Sequence, residues 1–189
     1  NSKVLRNYLE NKGYFHAAVS GDTTVKNKRA HATYAVEAGN QYTIKDIVFP
    51  HDTTNQIGVA IKNTEPKTLI KKGVPFNLDL IKAERLRIDA ALKEEGYYFF
   101  SSDYILVDAD STIGNNLVNL YVTVKSNTTF AARKPYTINE IDVYTNYTLS
   151  TAAIDTSHVY EVFYKGYYVI DKDKMFKPNL FEHVMQFKP

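Results

Sequence analysis

Cysteine is absent from all 189 residues, which removes disulfide staples, thiolate nucleophiles and Cys-ligated zinc from consideration. Excess charge of either sign is lacking too. Lys plus Arg number 23 against 21 Asp plus Glu, a formal net charge of +2, and no segment gathers the cations into a stripe, so the electrostatics names no nucleic-acid partner. No apolar run approaches the roughly 20 residues that span a bilayer as a helix, and the opening NSKVLRNYLENKG has no apolar core of the kind a signal peptide carries. Glycine (8) and proline (6) are sparse beside 44% hydrophobic and 13% aromatic residues, a composition that builds folded cores rather than disorder. The length suits one large domain or two smaller ones.

What is present is repetition. QYTIKDI at 41 to 47 is echoed by PYTINEI at 135 to 141, with Tyr42, Thr43, Ile44, Asp46 and Ile47 matched by Tyr136, Thr137, Ile138, Glu140 and Ile141. LENKGYF (9 to 15) aligns with LKEEGYY (92 to 98) at an offset of 83, AHATYAVEAG (30 to 39) with VNLYVTVKSN (118 to 127) at 88, and the opening phrases at 94. The order is kept while the offset grows, and the growth falls in stretches containing GNN and TTFAAR, where loops absorb insertions cheaply. A repeated supersecondary unit of about 90 residues is the expectation.

The unit reads as follows. DLIKAERLRIDAALKEEG (79 to 96) carries Ile81, Ile88, Ala91 and Leu92 on one stripe, with Asn77 or Asp79 as N-cap and Gly96 as a left-handed C-terminal cap, the pattern of a helix. SKVLRNYLENKG is the same helix in the first copy, with Leu5, Tyr8 and Leu9 inward and Gly13 ending it. After each glycine come aromatic residues and a strand, HAAVSGDTTV and then SDYILVD. The returning strand alternates Val118, Leu120, Val122 and Val124 against Asn119, Tyr121, Thr123 and Lys125, the period-2 signature of a sheet covered on one face. In the first copy Ala30, Ala32, Tyr34 and Val36 take the buried phase.

Strand one of each unit is the repeated phrase. Its isoleucines are three apart in both copies, so alternation slips once and predicts a bulge or strong twist. Pro66 to Lys72 suits a short helix ended by Gly73, whereas Thr53 to Asn63 carries no assignable pattern. The domain frame is therefore displaced from the chain ends: 1–39 is the C-terminal part of a first unit, 40–127 a complete unit, and 135–189 the N-terminal part of a third with an insertion at 148–174 before a helix in PNLFEHVMQF.

A helix ending LxxxGY, strand, turn, strand ending VEAG or VKSN, then YTIxxI resembles the polypeptide-transport-associated (POTRA) repeats of the BamA and TamA outer-membrane assembly proteins, the surface antigen family. The resemblance covers essentially the whole chain, although the second unit ends Ser126-Asn127 where the family has a Pro-Gly or Ala-Gly pair. It implies an α+β chain of tandem POTRA-like domains, each β-α-α-β-β with a three-stranded mixed sheet packed on two helices. It also implies a place on the periplasmic side of the bacterial outer membrane, ahead of a β-barrel, with unfolded outer-membrane proteins as clients and accessory lipoproteins as further partners. In the family the strand after the long helix lies at the sheet edge, and a client strand pairs there. The corresponding residues are Tyr104, Ile105, Leu106, Val107 and Asp108 in the complete unit and Ala17, Ala18 and Val19 in the first. A passive scaffold that docks lipoproteins, or the POTRA array of a two-partner secretion transporter, would share these features.

Catalysis and metal binding find little support. His16, His31, His51, His158 and His183 include no pair at metal-ligand spacing. Asp108 and Asp110 share a strand face and could bind a cation or serve acid–base work, but they run into the turn at 111 to 116 and read as a solvated hairpin end. DKDK (171 to 174) reads as a polar loop. Tyr97, Tyr98, Phe99 and Phe100 could form an adhesive patch, though alternate members of such a run belong to the core. With no nucleophile–base pair, Gly-rich phosphate loop or cofactor fingerprint, the chain is expected to be no enzyme and to need no cofactor.

Overall fold

The computed structural model describes residues 1–52, 54–145 and 161–186, and the chain divides into two compact units, Asn1–Tyr136 and Thr137–Pro189.

The first unit begins with helix α1 (Ser2–Asn11) and an antiparallel hairpin, β1 (Ala18–Lys26) and β2 (Arg29–Glu37). Asn27 and Lys28 sit at φ 52° and 61° between them, the left-handed pair of a type I′ turn whose twist matches the strands it joins. The hairpin is two-stranded and every residue from Ser20 to Glu37 is exposed. The inward placement expected for Leu5, Tyr8, Ala30, Ala32, Tyr34 and Val36 is therefore corrected: α1 buries none of its residues, Tyr8 is 60% exposed and Val36 49%. Among the described residues no third strand and no second helix closes over them, so the apolar phase has nothing to pack against.

A complete module follows: β3 (Thr43–Val48), α2 (Gln56–Asn63), α3 (Leu78–Glu94), β4 (Ile105–Asp110) and β5 (Leu117–Val124). The sheet order is β3-β5-β4, with β3 parallel to β5 and β4 antiparallel to it. This β-α-α-β-β order with a mixed three-stranded sheet on two helices is the POTRA-like arrangement that the resemblance implies. The slip in YTIKDI is a register shift in the β3–β5 pairing between Ile44 and Asp46, which lets Ile44 and Ile47 both face inward. The core joins Ile44, Ile47 and Phe49 to Ile57 and Ile61 of α2, Ile81, Ile88 and Leu92 of α3, and Val118, Leu120 and Val122 of β5. Asn77 caps α3 by accepting the Asp79 N–H at 3.0 Å.

Two sequence expectations change here. The unassigned stretch before Asn63 contains α2, whose Ile57, Gly58, Ala60 and Ile61 are buried; at eight residues it is too short for a periodic signal to stand out. Pro66 to Lys72 is not a helix beyond a 3₁₀ turn at Glu65–Lys67, because the chain must straighten to run beside β3.

One member of the α3 stripe is a carboxylate. Glu84 is fully buried; its Oε2 accepts the Leu69 N–H at 2.9 Å and Arg87 Nε at 2.9 Å, and its Oε1 accepts Arg87 Nη2 at 2.7 Å. Burial alone would raise the carboxyl's pKa, yet the hydrogen bonds from Arg87, Leu69 and Thr68 together with the Arg87 charge outweigh it and hold the group below the usual carboxylate range. The pair ties the α2–α3 connection to α3.

The second unit has its own mixed sheet, β6 (Asp142–Tyr144), β7 (Glu161–Tyr164) and β8 (Tyr167–Ile170), ordered β6-β8-β7 with β6 parallel to β8. The strand expected at PYTINEI begins only at Asp142, and Ile138 is 49% exposed. The stretch read as an insertion supplies β7 and β8, while 148–160 and His158 lie outside the described residues. The DKDK loop is anchored: buried Asp171 accepts the Phe176 N–H at 2.8 Å and the Thr145 hydroxyl at 3.1 Å, contacts that lower its pKa. The helix expected in PNLFEHVMQF is a 3₁₀ turn over Pro178–His183.

Candidate functional site: an open sheet edge and a repeated clamp

The complete module has two sheet edges, and they are treated differently. Beside β3 the strip 73 to 76 runs antiparallel: Ile44 N–H donates to Val74 O at 2.9 Å, Gly73 N–H to Ile44 O at 2.8 Å, and Phe76 N–H to Tyr42 O at 2.9 Å. A bridge between Thr43 and Pro75 completes it. That strip satisfies the backbone groups which an edge strand otherwise exposes.

β4 has no such cover; among the described residues it pairs with β5 alone. The Lys125 N–H donates to Tyr104 O at 2.9 Å in the same register as Ile105↔Val124, which sets the alternation along the ladder. Leu106, Asp108 and Asp110 therefore exchange hydrogen bonds with β5, and Ile105, Val107 and Ala109 direct their N–H and C=O to the open side. The side chains divide likewise: Ile105 is buried and Val107 packs against the core, whereas Leu106 and Asp108 are exposed. Arg85 of α3 steadies the start of the strand, donating through Nε at 3.0 Å and Nη2 at 2.7 Å to Ser102 O.

The sequence-predicted edge residues are thus placed unequally. Ile105, Leu106, Val107 and Asp108 lie in β4, and Ala18 and Val19 in β1, which pairs only with β2. Tyr104 and Ala17 lie one residue ahead of those strands: Tyr104 ends a 3₁₀ turn at Ser102–Tyr104 while its carbonyl accepts the Lys125 N–H, and Ala17 is 3% exposed in the turn before β1, its N–H donating to Tyr14 O. Asp108 and Asp110 do not form a bidentate site, because Asp110 accepts the Thr112 N–H at 2.9 Å and its hydroxyl at 2.7 Å, which lowers its pKa and closes the turn. Among the described residues no group of three His, Asp or Glu is placed to hold a metal, and no helix is long and apolar enough to cross a membrane. In the aromatic run Tyr97 and Phe100 are buried, while Tyr98 is 74% and Phe99 53% exposed.

Sequence reasoning missed how the repeated phrases are used. Gly13, at φ +89°, gives its carbonyl to the Tyr42 N–H at 2.8 Å; Gly96, also at φ +89°, gives its carbonyl to the Tyr136 N–H at 2.7 Å. Each helix-ending glycine thus docks on the tyrosine of the next phrase. A side chain is strained at both: a Cβ on Gly13 would stand 3.1 Å from Phe76 Cβ, a tight contact, and one on Gly96 only 2.5 Å from Tyr136 O, where the backbone would have to shift. The first clamp is reinforced by Phe15, whose ring lies 4.8 Å from Tyr42 and 4.9 Å from Phe76, by His16 Nε2 at 3.1 Å from the Tyr42 hydroxyl, and by Lys12 donating to Asp79 at 2.9 Å. The last contact raises the lysine and lowers the aspartate pKa. The signal was in the order rather than the spacing: a GY precedes a YTI in both copies, at Gly13 and Tyr42 and again at Gly96 and Tyr136.

The chain is similar to three solved structures. POTRA domains 3–5 of Haemophilus influenzae BamA are 20% identical over 66% of this chain and 45% of that one, with a TM-score of 0.39. BamA from Haemophilus ducreyi lacking POTRA domains 1–3 is 12% identical over 66% and 22%, at 0.42. POTRA domains 1–3 of the periplasmic domain of Omp85 from Anabaena are 20% identical over 65% and 47%, at 0.32. The chain spans less than half the length of each. No protein-family model and no curated protein matches it. At these TM-scores the fold rests on element order and strand register rather than on superposition.

Proposed function

We propose that this chain is the periplasmic part of an outer-membrane barrel assembly or translocation protein that binds unfolded outer-membrane polypeptide by strand addition at β4 and passes it toward a barrel. The observation that carries the reading is the asymmetry of the sheet: one edge is closed by the strip at 73 to 76, and the other is left open. An open edge accepts an extended chain through main-chain hydrogen bonds with little demand on its sequence, the property a relay of many clients needs. In the same reading 1–39 is the C-terminal part of one POTRA-like module, since β2 occupies the place of β5 but has no parallel neighbour. Residues 40–127 are a whole module and 135–189 begin a third. The Gly13–Tyr42 clamp, inside the first compact unit, supports a role in holding the 1–39 and 40–127 parts together, and accessory lipoproteins would dock on such an array.

Titration of the chain with a peptide taken from an outer-membrane strand tests this. The expected result is amide shifts at Ile105, Val107 and Ala109. The substitution Val107→Pro removes an N–H that points to the open side and no ladder bond to β5, so it should abolish the shifts while the β3 and β5 resonances stay in place. Unshifted β4 amides, with shifts elsewhere on adding a lipoprotein, would favour a docking scaffold instead.

A further inference from the structure

We propose that the open edge selects extended segments carrying Lys or Arg at alternate positions, so that the client at β4 is an amphipathic strand with one cationic face; this rests on strand addition at β4 as read above. A strand added beside β4 lies about 4.8 Å away and puts its side chains on the same two faces of the sheet. On the helix-facing side it meets Ile105 and Val107, which are apolar and packed on the core. On the other side it meets Leu106, Asp108 and Asp110, which alternate along β4.

Asp108 is exposed and forms no ion pair among the described residues. Its cross-strand neighbour is Tyr121, and that of Asp110 is Asn119, so β5 supplies no cation to either. Asp110 stays ionised because Thr112 donates to it twice. The opposite end of the same edge has cations: Lys125 faces Tyr104, and Arg133 Nη2 donates to Lys125 O at 3.0 Å. The edge is thus anionic toward residue 110, whereas toward residue 104 the charges are mixed, with Arg85 and Asp103 paired at 3.2 Å. Like charges directly opposite one another on a sheet face are unfavourable and opposite charges favourable, so the edge discriminates both the charge of a client's outer face and the end at which that charge lies.

The test compares two peptides of equal length, alternating Val with Lys or Val with Glu, titrated into the whole chain and read at the Ile105, Val107 and Ala109 amides. The Lys peptide is expected to bind about tenfold more tightly, the effect of two exposed charge pairs changing sign. Raising salt to about 0.5 M, where screening extends over only a few Å, should shrink the difference. Asp108→Lys, an exposed substitution, should reduce or reverse the preference. Equal binding of the two peptides, or a preference untouched by Asp108→Lys, overturns the charge selection and leaves strand addition standing. No shift of β4 amides with either peptide overturns strand addition itself.

Discussion

The phrase at 41 to 47 and its echo at 135 to 141 share their spelling and one bond, and little else. In both, the tyrosine N–H is held by the carbonyl of a helix-ending glycine at φ +89°. In the first copy Tyr42 is 8% exposed and Ile44 fully buried, and the phrase continues as β3, paired with β5 on one side and with 73 to 76 on the other. In the second, Tyr136 is 44% and Ile138 49% exposed, and the strand begins only at Asp142. Seven residues, five of them matched in chemistry, therefore encode a docking point for the preceding helix. Whether they become a strand depends on partners supplied from far along the chain, as strand propensity generally does.

The largest expected contrast lies in the isoleucines. Ile44→Ala should cost about 3 kcal/mol, within the range for truncating a fully buried Ile, whereas Ile138→Ala should change stability by no more than about 0.5 kcal/mol, as for a surface site; urea unfolding of the two variants measures both.

Next comes the ion pair behind the closed edge. Glu84→Ala strands Arg87 and the Leu69 N–H, and should cost about 3 kcal/mol, as breaking a buried pair does. Amide exchange at Ile44 and Gly73 should quicken with it. The same carboxylate makes the module sensitive to acid. Its folded pKa is lowered, so its contribution is complete above the unfolded glutamate pKa of about 4.3 and is lost as pH falls through the folded value. The acid midpoint of Glu84→Ala should show a correspondingly smaller pH slope in that window.

The glycines are third. Alanine at either Gly13 or Gly96 meets a backbone conformation that costs about 2 kcal/mol for a residue with a Cβ, and Gly96→Ala should be the worse of the two because its Cβ would stand 2.5 Å from Tyr136 O. Loss of exchange protection at the Tyr136 amide, with Tyr42 unaffected, is the readout. The smallest effect separates the tyrosines themselves. Tyr42→Phe forfeits the His16 contact at 3.1 Å and should cost about 0.5–1 kcal/mol, while Tyr136→Phe should fall within about 0.5 kcal/mol of the parent.

Local signals were easy to read where the chain settles its own geometry. The N-cap at Asn77, the left-handed caps at Gly13 and Gly96 and the bulge between Ile44 and Asp46 each follow from a few neighbouring residues. Glu84 escaped because a charged residue on an apolar stripe looks like a break in the pattern until a partner is found, here Arg87 three positions on. The expected buried phase of β2 failed for the opposite reason: alternation states which face could be covered, not whether anything covers it. The strand at the candidate site was legible to within two residues, but the direction in which each backbone group points was not, since that depends on the register with β5.

The sequence by itself determined α3 with its Asn77 cap, the left-handed ends at Gly13 and Gly96, the bulge in β3 and the alternation of β5, because caps, turns and periodicity act over a few residues. Only the tertiary structure decided that one edge of the sheet is sealed by 73 to 76 while β4 is left unpaired, because pairing a backbone group depends on which distant segment arrives beside it.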